Sequence, residues 1–175
     1  MRKLLNSELN RKTIEEFKLT KKIPVVLVLD NVRSMNNIGS AFRTADSFLL
    51  EEIYLCGVSA KPPHREIQKT ALGATETVKW TYFENTISCL TALREKGYLI
   101  VSIEQAENAK PLNKFPFDKE KKIAVVFGNE VFGVDQEVVN FSDEVIEIPQ
   151  SGTKHSLNIS VALGIVCWEF YKSYI

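Results

Sequence analysis

Residues 25–48 read VVLVLDNVRSMNNIGSAFRTADSF, an apolar run that ends in Asp30, crosses a polar loop and enters a helical pattern. Val25 to Leu29 shows no alternation of apolar and polar residues, which fits a strand covered on both faces. In the helix that follows, Ala41, Ala45, Phe48 and Leu49 recur at i, i+4, i+7 and i+8, one stripe suited to packing on a sheet. At about 100° per residue, Arg43 lies nearly opposite the centre of that stripe, so it faces solvent, a ligand or a second subunit. Gly39 sits one turn earlier on the same side, where a missing side chain would let a substrate backbone approach.

The same succession recurs along the chain. Further β-branched and aliphatic runs occupy Ile53 to Leu55, Tyr98 to Ile103, Ile123 to Phe127 and Val145 to Ile148. Helical patterns occupy Leu4 to Phe17, Ile38 to Phe48, Ile87 to Lys96, a short stretch near Asp135 to Asn140, and Leu157 to Tyr171. Short apolar strands separated by helices predict an α/β domain with a mostly parallel sheet and helices on both faces. Pro111 to Asp118 reads as a loop, and 175 residues suit one domain. The last helical segment is apolar almost all round, which predicts burial in the core or against another subunit.

Ligand sites in open α/β sheets gather beyond the carboxyl ends of the strands. There the chain places Asp30 to Gly39, Gly128 to Gly133 and Pro149 to Asn158, three loops that could share a pocket. No Gly-x-Gly-x-x-Gly follows the first strand, and Gly128 to Gly133 continues into Val134-Asp135 where a P-loop needs Lys and Ser or Thr. Glu130 can project from between two glycines into the pocket or can belong to a plain turn. Ser156 has the character of a helix cap, with Asn158 in the first turn beside it. His155 adjoins Ser156, but neighbouring residues rarely meet as a catalytic dyad and no third group is indicated.

Formal net charge is zero, with the basic residues concentrated at the start: residues 1–24 hold seven Lys or Arg against three Glu. This basic helical arm is either a solvated face or a contact surface for RNA phosphates. Three cysteines and two histidines without short paired spacing disfavour a zinc site or a disulfide framework. No segment approaches the roughly 20 apolar residues of a membrane span, and no leader pattern follows Met1, so the sequence reads as a cytoplasmic protein.

Three stretches together resemble the signature motifs of the SpoU (TrmH-like) branch of the SPOUT RNA methyltransferases: LDNVRSMNNIGSAFRTADSF, IAVVFGNEVFGVD and IPQSGTKHSLNISVALGI. Gly73-Ala74-Thr75-Glu76 resembles a connecting segment of the same family. The resemblance covers Val25 to Tyr171 and makes residues 25–175 a single methyltransferase domain behind the arm. It implies a deep C-terminal trefoil knot, an exception to the rule against knotted chains, and a homodimer whose active site draws on both subunits.

The implied reaction moves a methyl group from S-adenosylmethionine to a ribose 2′-hydroxyl of tRNA or ribosomal RNA, without a metal. The cofactor would lie against Phe127, Gly128, Ile148, Gln150 and Leu157. Arg43, Asn37, Glu130, Ser156 and Asn158 would form the catalytic set. The family proposal makes the arginine a general base, but a guanidinium is too weak an acid to serve readily in that role. We read Arg43 as an electrostatic clamp on the forming alkoxide, oriented by Glu130 and Asn37, with Ser156 and Asn158 positioning ribose or the cofactor loop. Gln150 stands where many relatives have methionine, and Leu49-Leu50-Glu51 replaces a glycine-containing turn. A catalytically silent RNA-binding or assembly factor is the alternative on the same scaffold; the presence of Arg43, Ser156 and Asn158 favours the enzyme.

Overall fold

The strands β1 (Ile23–Asp30), β2 (Leu50–Cys56), β3 (Lys79–Phe83), β4 (Tyr98–Ile103), β5 (Lys110–Pro111), β6 (Lys122–Phe127) and β7 (Glu144–Glu147) form one sheet in the order β3-β2-β1-β6-β4-β7-β5. Every pairing in it is parallel. The computed structural model describes all residues, 1–175. Side-chain alternation along the central strands divides the core into two. Val25, Leu27 and Leu29 of β1 face one layer with Val125 and Phe127 of β6, while Val26 and Val28 face the other with Ala124 and Val126. The first layer is covered by α1 (Ile14–Leu19), α2 (Met35–Ser47), α3 (Arg65–Ala71), α4 (Ala74–Thr77) and α7 (Ile159–Tyr171), the second by α5 (Thr86–Glu95) and α6 (Gln136–Phe141). No helix is long and apolar enough to cross a membrane.

Register brings the strand ends level. Leu29 pairs with Leu55 and with Phe127, Ser102 with Val126, and Ile103 with Ile146, so the loops after β1, β4, β6 and β7 leave the same edge. Asp30, buried at that edge, accepts hydrogen bonds from Thr86 Oγ1 at 2.6 Å, Asn31 Nδ2 at 2.9 Å and the Asp135 N–H at 3.1 Å. One carboxylate thus ties the exit of β1 to the starts of α5 and α6.

Several expectations need correction. Leu4 to Phe17 is not one helix: residues 9–13 are irregular, Asn10 takes a left-handed φ of 46°, and α1 starts at Ile14 behind a capping box made by Thr13 and Glu16. Such a box satisfies two backbone donors at once and fixes where a helix begins. The arm is therefore short, and it is anchored, because Phe17 is buried in the first core layer while Lys22 spends its ammonium on the carbonyls of Phe17 and Thr20. Helix α2 begins three residues earlier than expected, at Met35, with Ser34 as its cap. Gly39 is not open to a substrate: a Cβ there would lie 2.1 Å from Thr70 Oγ1 and 2.3 Å from the Ile67 carbonyl, so the glycine exists to let α2 and α3 touch. Leu49, in the turn that lacks glycine, adopts φ 54°.

Candidate active site

The loop after β6 is held in one shape by its own backbone and by Asn129. Asn129 and Gly133 exchange two backbone hydrogen bonds of 2.8 and 2.9 Å, and the Asn129 Oδ1 accepts the N–H groups of Val131 and Phe132 at 2.9 and 3.2 Å. Its Nδ2 donates to the Asn31 carbonyl at 2.8 Å, fastening the turn to the end of β1. Glycine is required at position 128 by close approach, since a Cβ there would lie 2.0 Å from the Gly133 carbonyl carbon and 2.1 Å from the Val134 nitrogen.

Glu130 reaches from this turn to the start of α2. Its carboxylate accepts the N–H groups of Arg33 at 3.0 Å and Ser34 at 2.9 Å and the Asn37 Nδ2 at 3.0 Å. Burial works against the charge, but the Asn37 amide and these backbone donors outweigh it and hold the Glu130 carboxyl below its ordinary value. An anion at a helix N-terminus also meets the positive end of the helix dipole. Glu104, at the exit of β4, does the same for the other side of the turn, accepting the Gln105 and Val134 N–H groups at 2.8 and 2.9 Å.

The third loop runs from β7 to α7. Asn158 caps α7, its Oδ1 accepting the Ser160 N–H at 2.8 Å. That corrects the assignment of the cap to Ser156, which lies exposed two residues before it. Gln105 Nε2 donates to the His155 carbonyl at 2.7 Å and pins this loop across the β4 exit.

Together these loops enclose a cleft of about 480 Å³. Its apolar wall includes Phe127, Ile148, Leu157, Ile159 and Ala162, and Gly128, Gln150, Ser156, Asn158, His155 and Gln105 supply backbone and polar groups. Three carboxylates, Glu104, Glu130 and Glu147, line it, and no Lys or Arg does. Such a wall suits a ligand with an apolar body and a positive charge.

All five residues expected to hold the cofactor line this one cleft, and so do Glu130, Ser156 and Asn158. Asn37 joins through its hydrogen bond to Glu130. Arg43 does not join. It is exposed on α2, six positions beyond Asn37 and therefore about 9 Å further along the helix axis. Within one chain Glu130 and Asn37 hold each other and the start of α2. Sequence reasoning missed Glu104, Gln105 and Asn129. The first two are findable as polar residues directly after the apolar run of β4; Asn129 shapes the turn that walls the site.

A family model, the SpoU rRNA Methylase family, matches residues 24–168. The chain is 31% identical over 159 residues to an "Uncharacterized tRNA/rRNA methyltransferase" of Borreliella burgdorferi, across 91% of this chain and 68% of that protein. It is 29% identical over 163 residues to the 23S rRNA (guanosine-2′-O-)-methyltransferase RlmB of Vibrio cholerae, across 93% of this chain and 64% of that one. Its fold superposes on an AdoMet-bound rRNA methyltransferase from Sinorhizobium meliloti with a TM-score of 0.82 and 25% identity, covering 89% of this chain and 58% of that chain. The chain thus spans about two thirds or less of the length of these relatives.

Proposed function

The chain belongs to the SpoU rRNA Methylase family, and from that membership and the cleft at its sheet edge we propose that it transfers a methyl group from S-adenosylmethionine to a ribose 2′-hydroxyl of tRNA or ribosomal RNA. One observation carries the reading. The five residues picked out as the cofactor wall come from two loops separated in sequence and converge, with Glu130, Ser156 and Asn158, on a single cleft. Its volume is within the roughly 300–1,000 Å³ usual for ligand sites, and carboxylates without a cation fit a positively charged cofactor.

When bound, S-adenosylmethionine supplies a methyl group already activated by its sulfonium. The chain's own residues then have to align the ribose hydroxyl with it and favour the charge that develops there. Phe127, Ile148 and Leu157 exclude water. Glu130, ionised at neutral pH, locks the second motif to the first, and Asn158 fixes the start of α7 beside the exposed Ser156 hydroxyl. Arg43 stabilises the forming alkoxide as an electrostatic clamp.

Within one chain Arg43 lies outside the cleft, so the site calls for a second copy. The surface for one is available: Val161, Ile165 and Trp168 of α7 are exposed, and Phe48 at the end of α2 stacks between Trp168 at 6.1 Å and Tyr171 at 5.2 Å. A homodimer formed through this apolar face would carry α2, and Arg43 with it, toward the partner. Acting on RNA, the enzyme would work in the cytoplasm.

The test is transfer of labelled methyl from S-adenosylmethionine to unmodified tRNA and ribosomal RNA, with nucleoside mass analysis and sedimentation of the protein. A 2′-O-methylated nucleoside, formed by a dimer and lost in Arg43→Ala, supports the reading. Cofactor binding without transfer to either RNA favours the silent scaffold. No binding of the cofactor overturns the methyltransferase reading.

A further inference from the structure

We propose that Phe132 is a stacking platform for the nucleobase carried by the ribose that enters the cleft, an inference that rests on the RNA methyl transfer proposed above. Phe132 is 84% exposed and its neighbour Val131 72%. Single exposed apolar residues are common and need no explanation. These two differ in being consecutive, at the tip of a turn, and in lining the cleft itself.

The turn is rigid. Its ends exchange two backbone hydrogen bonds, and the N–H groups of both Val131 and Phe132 are held by the Asn129 side chain. Gly128 permits the close backbone approach beneath it, Gly133 leaves room for the Glu104 carboxylate, and Glu104 and Asn129 fasten the turn to the exits of β4 and β1. A large ring is thus displayed to solvent in a fixed position beside the cleft, where burial would have been the default for phenylalanine.

The rest of the cleft wall explains which partner this fits. Its charged groups are Glu104, Glu130 and Glu147, so it offers no cation with which to hold a phosphate backbone. Neutral polar groups such as Ser156 and Asn158 can meet the ribose, and the exposed aromatic face offers a surface for the base, since every nucleobase has a π-face that stacks regardless of sequence. Because base and ribose are covalently joined, a base seated on Phe132 at the rim would bring its ribose to the cleft mouth.

The experiment measures initial rates on RNA from cells lacking this methyltransferase, with Phe132→Ala, Phe132→Leu and Phe132→Tyr compared with wild type. For Phe132→Ala the KM for RNA should rise by about 5- to 150-fold, the range that alanine substitution of base-stacking aromatics gives. S-adenosylmethionine affinity, thermal stability and sedimentation should stay unchanged. Phe132→Tyr should match wild type, and Phe132→Leu should resemble alanine because it keeps apolar area but loses the ring. Unchanged KM in Phe132→Ala, or full function in Phe132→Leu, overturns the stacking role. A loss explained by weaker cofactor binding or by dissociation overturns it too, and assigns Phe132 to the cofactor wall or to contact with a second copy. Wild-type protein that binds the cofactor and methylates no RNA removes the proposed function and this inference with it.

Discussion

Replacing Glu130 with glutamine tests whether the second motif is locked to the first by charge. The carboxylate spreads three accepted hydrogen bonds over two oxygens, Oε2 to Arg33 and Oε1 to Ser34 and Asn37, at 2.9–3.0 Å. Glutamine keeps one acceptor and turns an NH₂ toward a backbone N–H, so at least one bond becomes a donor–donor clash. Hydrogen bonds to charged groups contribute about 1.5–3 kcal/mol each. Glu130 is exposed, and solvent screening brings the combined loss of bond and charge down to about 1–2 kcal/mol. For a chain of this size that is roughly 2–8 °C in melting temperature. The acid limb separates charge from shape. Since the folded-state pKa lies below the ordinary 4.5, the carboxylate's contribution is full above that value and disappears as the pH falls through the folded-state one. Wild type and E130Q should therefore differ at neutral pH and converge in acid, by thermal or urea unfolding. A gap of constant size across the pH range, or none at neutral pH, would refute the charge lock.

Gly128→Ala should cost at least about 1–3 kcal/mol, because the new Cβ meets the Gly133 and Val134 backbone near 2.0 Å and not a movable side chain; calorimetry should show S-adenosylmethionine binding lost as the turn shifts. Arg43→Ala removes an exposed side chain, so melting temperature and cofactor affinity should hold while kcat falls by about 10²- to 10³-fold, the loss typical of a preorganised charge stabiliser. Mixing Arg43→Ala with a Gly128→Ala chain should then restore part of the activity, since a mixed dimer places one intact arginine over one intact cleft. Asn158→Ala should lower stability by about 0.5–2 kcal/mol through loss of the α7 cap, whereas Asn158→Asp, which keeps the acceptor, should nearly restore it in a thermal melt.

What the sequence disclosed depended on how each element earns its burial. β1 and β6 are covered on both faces and read as unbroken apolar runs, so they were legible at once. β3, KWTYF, is an edge strand of half-exposed alternating residues and gave no such run. Helices α3 and α4 went unseen because Leu72 and Gly73 both take left-handed φ between them, cutting one helical stretch into two short ones. The Thr13-x-x-Glu16 capping box is legible in the sequence and marks the start of α1, inside the stretch Leu4 to Phe17 expected as a single helix. At the site, the five residues expected to face the cofactor fall within two of the quoted motifs, and strand ends on one sheet edge bring them to one cleft. The partner of Glu130 could not be assigned, because its hydrogen bonds join residues more than 90 positions apart, a pairing that only the parallel register of β1 and β6 creates.

In the homodimer proposed above, that register gives a reason for cofactor and substrate requirements to divide between chains. β1 and β6 are neighbours, so their exit loops meet, and Glu130 is consumed in joining them. Asp30 is likewise consumed at the sheet edge and Glu104 at the turn. Glu104 and Glu130, two of the three carboxylates that give the cleft its negative character, thus hold the loops in shape, and placing a cation beside them would compete with those hydrogen bonds. A clamp for an alkoxide beside a phosphate must be positive, and it must arrive without disturbing these contacts. Carried on the exposed side of α2, opposite the stripe that packs on the sheet, Arg43 can be delivered by a second copy as a preformed charge on a rigid helix. In that proposed dimer the fold would keep one chain's edge suited to a cationic cofactor and draw the anion-stabilising group from the other.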